Sequence, residues 1–412
     1  MASARAAALR YLFVHRNFPG QYLHLVRHLA GQGGHDILFL TEANANHIPG
    51  VRKVVYQPPP PCEAAHPDAQ EVEHALARAR VVAGAAGRLK ALGFVPDVIL
   101  GHHGWGELLN LHDVWPDAPL LGYHEFYYST HGLDVGFDPE FASPAALFPR
   151  VRAKNAVNLL ALTNPGRGQT PTRFQRGTYP AWARPNIRLV PEGVDLDACR
   201  PDPALHARPF VLGPLRVAPG RRLVTYVARD LEPYRGFHVV MRALPRLLRA
   251  RPDVQVALVG GDGPGYGARL SHGTWREHML AEVGHLLDPA RVHFLGRVPY
   301  ADHVRLLQRS DAHIYLTYPF VASWSLREAL ACGCAVVASD TAPVREFVYD
   351  GRNGWLTPCL DPVALASRVQ DVLEDADAAA RMRAGARRFA RRHLDRADHL
   401  AAFEGLIGEA VR

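Results

Sequence analysis

Short, uninterrupted apolar runs rich in β-branched residues recur along the chain, with helical patterns between them. The first half holds "YLFVH", "DILFL", "DVILG", "PLLGY" and "NLLAL" (the last at 158–162). The second half holds "LVTYVA", "VQVALVG", "VHFLG", "AHIYLT" and "AVVAS". A strand that is apolar on both faces belongs to a sheet covered on both sides, and alternation with helices makes that sheet parallel. Two such sets in 412 residues predict an α/β chain of two doubly wound, Rossmann-like domains, because one hydrophobic core rarely grows so large. The break is expected in 195–222, rich in Pro, Gly and Arg. This gives an N-terminal domain over 1–205 and a C-terminal domain over 206–394, with a last helix near 395–412 returning to the first.

Composition narrows the class. Charged residues are 21% and no apolar window approaches a membrane span, so a water-exposed globular protein is expected. The N-terminal "MASARAAALRYLFVHR" lacks an apolar core with a cleavage site, and the expected location is the cytoplasm. Five scattered cysteines (Cys62, Cys199, Cys332, Cys334 and Cys359) argue against a disulfide framework or a metal cluster. The formal charge of +7 favours an anionic partner such as a nucleotide or lipid head group, with peripheral contact at the inner face of the membrane as one outlet. The arginine-rich helices are otherwise read as solvated faces.

In doubly wound sheets, ligands bind beyond the C-terminal ends of the strands. Residues following the predicted strands are therefore the candidates. In the second half, "TYVARDLEPYRGF" places Arg229 and Arg235 where two guanidiniums can clamp a diphosphate, with Gly236 opening a helix whose amides face an anion. "LVGGDGPGYG" brings the backbone near a ligand at Gly261, and "FLGRVPY" offers Arg297 and Val298 to a base. Glu328 has two readings. Ser325-x-x-Glu328 has capping-box spacing. Alternatively, the carboxylate accepts both hydroxyls of a ribose while amides around Ser323 and Trp324 hold a sugar or phosphate. In the first half, "HRNFPGQY" turns at Gly20, "GHHGWGE" carries His102 and Trp105, and "GYHEFYYSTHG" carries His124 and Glu125. His102, His124 and Glu125 converge on one rim.

Taken in order, "YVARDLEPYRGF", "LVGGDGPGYG", "VHFLGRVPY" and "SLREALACGCAVVASDTAPVREFV" resemble the donor half of glycosyltransferase family 4, and "FPGQY" with "GHHGWGE" is similar to a bacterial subgroup of that family. The resemblance implies the GT-B fold, two Rossmann-like domains facing across a cleft. It implies a retaining transferase that moves a sugar from a nucleoside diphosphate sugar (UDP, GDP or another) to a sugar, lipid-linked glycan or small-molecule acceptor. Such a protein would serve envelope polysaccharide, glycolipid or secondary-metabolite synthesis. It implies donor-diphosphate contacts at Arg229 and Arg235, base contacts at Arg297 and Val298, a ribose contact at Glu328, and His124 near the reacting centre. His124 or Glu125 would orient the acceptor, with His102, Trp105 and Glu125 read as the acceptor side and Gly20 as a donor contact. No cofactor, no metal and no nucleic acid is expected, and the Asp195–Asp197 pair is set aside because it falls between domains. The family's signature has a glutamate eight residues before Glu328, where this chain has Phe320. That departure keeps two rivals open: a nucleotide-sugar 2-epimerase on the same fold, and a non-catalytic nucleotide-sugar binding protein.

Overall fold

A computed structural model describes residues 8–61, 63–141, 145–267 and 270–412. The chain divides into two compact units. The first comprises 1–131, Phe141–Glu192 and Ala397–Arg412, and the second Gly132–Glu140 and Gly193–Arg396. The division thus falls at 192/193, against the expected 205/206, and a nine-residue segment from the first half of the sequence groups with the second unit.

The first unit is built on seven strands: β1 (Arg10–Val14), β2 (Asp36–Thr41), β3 (Val51–Val55), β4 (Val98–His102), β5 (Leu120–Tyr123), β6 (Arg167–Thr170) and β7 (Ile187–Leu189). They lie in the order β3-β2-β1-β4-β5-β6-β7, every pair parallel. Strand β4 is buried throughout, whereas edge strand β3 is exposed or half-buried along its length. Central strands of a covered sheet have no solvent face, which is why their sequences lack alternation. The closing helix Arg396–Ala410 lays Phe403, Leu406 and Ile407 into the same core as Phe13, Tyr22 and Phe39.

One expected strand is a helix. "NLLAL" lies inside the helix Phe148–Thr163. Its buried positions are Asn155, Val157, Asn158 and Ala161, at helical spacing, while Leu159 and Leu160 are exposed. A short apolar run cannot by itself separate a strand from a helix. The actual strands nearby, "RGQT" and "IRL", are too short and polar to announce themselves.

The second unit opens with a hairpin, β8 (Phe210–Leu212) and β9 (Leu215–Val217). Six parallel strands follow: β10 (Arg222–Asp230), β11 (Val254–Gly261), β12 (Val292–Gly296), β13 (Ala312–Tyr315), β14 (Val336–Ser339) and β15 (Trp355–Thr357). Their order is β12-β11-β10-β13-β14-β15. All five expected strands of this half are present. In both sheets the first strand of the unit's parallel series neighbours the fourth, so the order in which strands are added across the sheet reverses between β1 and β4 and again between β10 and β13. That reversal opens a crevice at the C-terminal ends of those strands, where open α/β sheets bind ligands.

No helix among the described residues is long and apolar enough to cross a membrane. The four described cysteines, Cys199, Cys332, Cys334 and Cys359, are buried free thiols, and Cys62 lies outside the described residues.

Candidate functional site

In the second unit the loops after β10, β11 and β12 are joined through two carboxylates. Asp230, at the end of β10, is buried and pairs with Arg229 (Nε–Oδ2, 3.2 Å) and with Arg297 after β12 (Nη2–Oδ1, 2.8 Å). A Cβ on Gly261 would sit 2.7 Å from the Arg297 Nε and 2.8 Å from Asp230, so glycine there lets this ion pair lie directly over β11. Glu232, almost fully buried, accepts the amides of Tyr266 (2.9 Å) and Gly267 (2.8 Å) and thereby fixes the glycine-rich loop. Burial pushes its carboxyl above the ordinary value, and the two amides oppose that rise. The loop presents the Tyr266 ring to both candidate arginines: the guanidinium carbons of Arg229 and Arg235 lie 4.6 and 5.1 Å from its centroid.

The two arginines then differ. Arg229 extends its guanidinium into solvent, with 59% of its side chain exposed. Arg235 is buried and gives one nitrogen to Thr317 Oγ1 (2.8 Å) and the Val321 carbonyl (2.9 Å), so it pins the loop after β13. The expected open pair is therefore one outward guanidinium and one that supports the wall behind it. The amides expected to be offered at Gly236 are also engaged. Pro233–Arg235 form a tight turn, Gly236 is left-handed (φ +67°), its N–H reaches the Pro233 carbonyl (2.7 Å) and that of Phe237 the Glu232 carbonyl (3.2 Å).

Glu328 lies in the helix Trp324–Ala331, and the capping box is absent. The helix starts after Ser323, so Ser325 is already inside it. The Ser325 hydroxyl bonds the Ser323 hydroxyl (2.6 Å), and the Ser323 amide bonds the Tyr315 hydroxyl (2.8 Å). The Glu328 carboxylate instead meets His303 (Oε2–Nε2, 2.8 Å), both side chains about one-tenth exposed. Val298 packs its side chain on the core beside Leu295. Phe320 is buried against the rings of Tyr266 (4.9 Å) and Tyr234 (6.0 Å, near-perpendicular), an aromatic wall where the family's signature has a carboxylate.

In the first unit a cavity of about 350 Å³ opens at the reversal between β1 and β4. Its wall includes Arg16 after β1, His102 and Trp105 at and after β4, Glu125 after β5, His74 and Arg78 from the helix Gln70–Ala91, and Lys154 and Asn158 from the helix Phe148–Thr163. His102 Nδ1 accepts the Gly104 amide (2.9 Å), which leaves its Nε2 as the protonated nitrogen, 3.4 Å from a Glu125 carboxylate oxygen. The Trp105 ring stacks on His102 (4.0 Å, 17°) and carries the Arg16 guanidinium 5.1 Å above its centroid. Gly20 is not at the cavity wall. Its left-handed turn (φ +56°) brings it against the buried His15 ring, where a Cβ would stand 2.6 Å away.

His124 does not line this cavity. Its ring is buried between His103 (4.7 Å) and Tyr179 (5.4 Å), and burial lowers its pKa to about 3, with His102 adding to the shift. At this cavity's wall stands His102, not His124. Sequence reasoning missed Arg16, though it follows the first strand directly and the strand-end rule could have found it. It also missed Asp230, Glu232, Tyr266 and His303, which act through other residues, and the helix positions 74, 78, 154 and 158, which carry no local signal.

Two groups bear on metal binding. Asp138, Glu140 and His238 lie within 4.8 Å of one another in the second unit. Each already has a protein partner: Asp138 meets His238 (2.9 Å) and the Tyr318 hydroxyl (2.6 Å), and Glu140 takes both ends of the Arg242 guanidinium. Asp195 of the D-x-D pair spends its carboxylate on the amides of Asp197 and Ala198 and on Arg396.

Residues 33–199 match the Glycosyl transferase family 4 group model, and residues 213–389 the Glycosyl transferases group 1 model. The chain is 28% identical over 291 residues to a GDP-mannose-dependent alpha-(1-6)-phosphatidylinositol monomannoside mannosyltransferase of Mycolicibacterium smegmatis, covering 67% of this chain and 68% of that one. It is 31% identical over 190 residues to a phosphatidyl-myo-inositol mannosyltransferase of the same organism, covering 45% of this chain and 42% of that one. Among solved structures it resembles the sucrose-phosphate synthase of Thermosynechococcus elongatus (TM-score 0.73, 19% identity, 97% of this chain and 98% of that one). It also resembles Anabaena HepE in complex with UDP and glucose (TM-score 0.68, 19% identity, 97% of this chain and 100% of that one). At that identity the structures speak to the fold.

Proposed function

Because the chain belongs to the family 4 glycosyltransferases and carries their GT-B fold, we propose that it moves a glycosyl residue, with retention at the anomeric carbon, from a nucleoside diphosphate sugar to an acceptor hydroxyl, without a metal ion. The observation that carries this reading is the solvent-facing Arg229 guanidinium, held over Tyr266 and paired with Asp230 at the β10–β13 reversal. A diphosphate departing there meets a cation whose position is already set, and an electrostatic group that need not reorganise stabilises developing charge most effectively. Glu328 anchors the ribose, Arg297 and the backbone at Val298 lie by the base, and Arg235 keeps the loop after β13 in place. A phosphate oxygen of the leaving group takes the proton of the attacking hydroxyl.

The cavity in the first unit holds the acceptor. Glu125 orients the acceptor by accepting from a hydroxyl beside the attacking one, and His102, which faces that carboxylate at 3.4 Å, helps hold it in place. The relatives named for phosphatidylinositol mannosides and their GDP-mannose donor make GDP- and UDP-sugars the first donors to try, and support a lipid-linked or peripheral membrane acceptor as one alternative. The test is nucleotide release from a panel of UDP- and GDP-sugars with mixed sugar and lipid acceptors. One donor should release nucleotide in proportion to glycosylated product, and the rate should persist in excess EDTA. Release without product, or a loss that manganese or magnesium restores, would overturn the respective half of the proposal.

A further inference from the structure

The charged groups of the first unit's cavity are matched in pairs, with one exception. Arg78 pairs with Glu42 (3.3 Å), Lys154 with Glu71 (3.5 Å), and His102 faces Glu125 (3.4 Å). Arg16 has no carboxylate partner among the described residues, and its Nε is buried without a hydrogen-bond partner. A guanidinium keeps its charge at any working pH and presents a planar fork suited to phosphate oxygens. His74 on the same wall is held below its ordinary pKa by burial first, and then by Arg78 and Arg16.

Geometry links this cation to the proposed acceptor contacts. Arg16, Trp105, His102 and Glu125 form one row, the guanidinium over the indole, the indole stacked on the imidazole, and the imidazole facing the carboxylate. The row thus carries a fixed cation at one end and a carboxylate that can accept from a hydroxyl at the other. The volume of about 350 Å³ is near the lower end for small-molecule sites and suits one ring with its substituent better than an oligosaccharide. The Tyr128 ring, also at the cavity wall, supplies apolar surface for such a ring.

We infer that the acceptor is a polyol monophosphate, its phosphate bound by Arg16 and a hydroxyl beside its reacting one presented to Glu125. This rests on the reading of the cavity as the acceptor site. The same phosphate chemistry is available from a free sugar phosphate and from an inositol phosphate head group at a membrane surface.

The experiment is calorimetry on the intact protein and on Arg16→Gln and Arg16→Lys. The probes are glucose with glucose 6-phosphate, mannose with mannose 6-phosphate, and myo-inositol with myo-inositol 1-phosphate. At least one phosphorylated member should bind roughly tenfold or more tightly than its neutral twin, since bonds between charged groups outweigh neutral ones. Arg16→Gln should erase that difference, Arg16→Lys should keep part of it, and inorganic phosphate should compete. Should Arg16→Gln fail to fold, the lysine variant and phosphate competition carry the same test. Sedimentation with phosphatidylcholine vesicles containing phosphatidylinositol separates the two sources: Arg16-dependent co-sedimentation selects the head group, and its absence with tight soluble binding selects the free sugar phosphate. Equal affinity for every phosphorylated and neutral pair, or a preference that survives Arg16→Gln, would overturn the inference. Arg16-dependent binding of a sugar phosphate that accepts no glycosyl group from any nucleotide sugar would overturn the acceptor reading beneath it.

Discussion

Glu328→Gln separates a ribose anchor from a merely buried carboxylate. One of its oxygens, Oε2, is engaged by His303 at 2.8 Å, and the Tyr300 hydroxyl also bears on the carboxylate. Glutamine has a single carbonyl oxygen. If that oxygen stays with His303, the ribose hydroxyls meet an NH₂ group in place of an acceptor. Hydrogen bonds to a charged partner contribute about 1.5–3 kcal/mol, against about 0.5–1.5 kcal/mol for neutral ones. The substitution should therefore cost about 1.5–2 kcal/mol of nucleotide binding, roughly ten- to thirtyfold in Kd. The fold should lose little, because the amide still satisfies His303; a loss of about 1 kcal/mol would lower Tm by roughly 2–4 °C in a unit of this size. The assay is calorimetric titration of UDP and of GDP into parent, Glu328→Gln, His303→Leu and the double variant. If His303 orients Glu328, the double variant should bind no more weakly than Glu328→Gln alone. A Kd within threefold of the parent for the nucleotide that the parent binds would refute the anchor.

Arg229→Ala should lower kcat/KM for transfer by about 2–4 kcal/mol, roughly thirty- to a thousandfold, as for other lost donors to developing charge; a change within threefold would remove Arg229 from the reaction. His124→Gln should alter acid sensitivity rather than chemistry. The folded ring has a pKa near 3, against about 6.5 when exposed, so the unfolded chain binds the proton first and stability falls as pH drops from about 6.5 towards 3. The variant should lose up to about 1.4 kcal/mol per pH unit of that slope in denaturant titrations between pH 6.5 and 4, and an unchanged slope would contradict the burial argument.

The second unit was more legible in sequence than the first, for a physical reason. Its strands are continuous apolar runs, and Arg229, Gly261, Arg297 and Glu328 follow strands within a few residues, so the rule placing ligands at strand ends finds them directly. The rule is silent on what such a residue does once there. Arg229 and Arg235 read alike in sequence, yet one extends into solvent and the other turns inward to Thr317 and Val321. The capping-box reading failed because the helix begins two residues earlier than the Ser325 spacing requires, and helix starts are the least certain part of a pattern. His124 and His102 both follow strands, and only packing decides which ring reaches a cavity. Lys154 and Asn158 were hidden by a misread period, since the apolar run containing Asn158 looks like a strand until its exposed leucines are seen. Pairings such as His303 with Glu328 join residues too far apart for local spacing to reveal.

The most direct test of retaining transfer from a nucleotide sugar is the anomeric configuration of the first product formed. The active donor should be incubated with the acceptor that the panel identifies, and the glycosidic bond read by proton NMR before any secondary reaction. A product with the same anomeric configuration as the α- or β-linked donor is the predicted result. A product of inverted configuration would contradict the account.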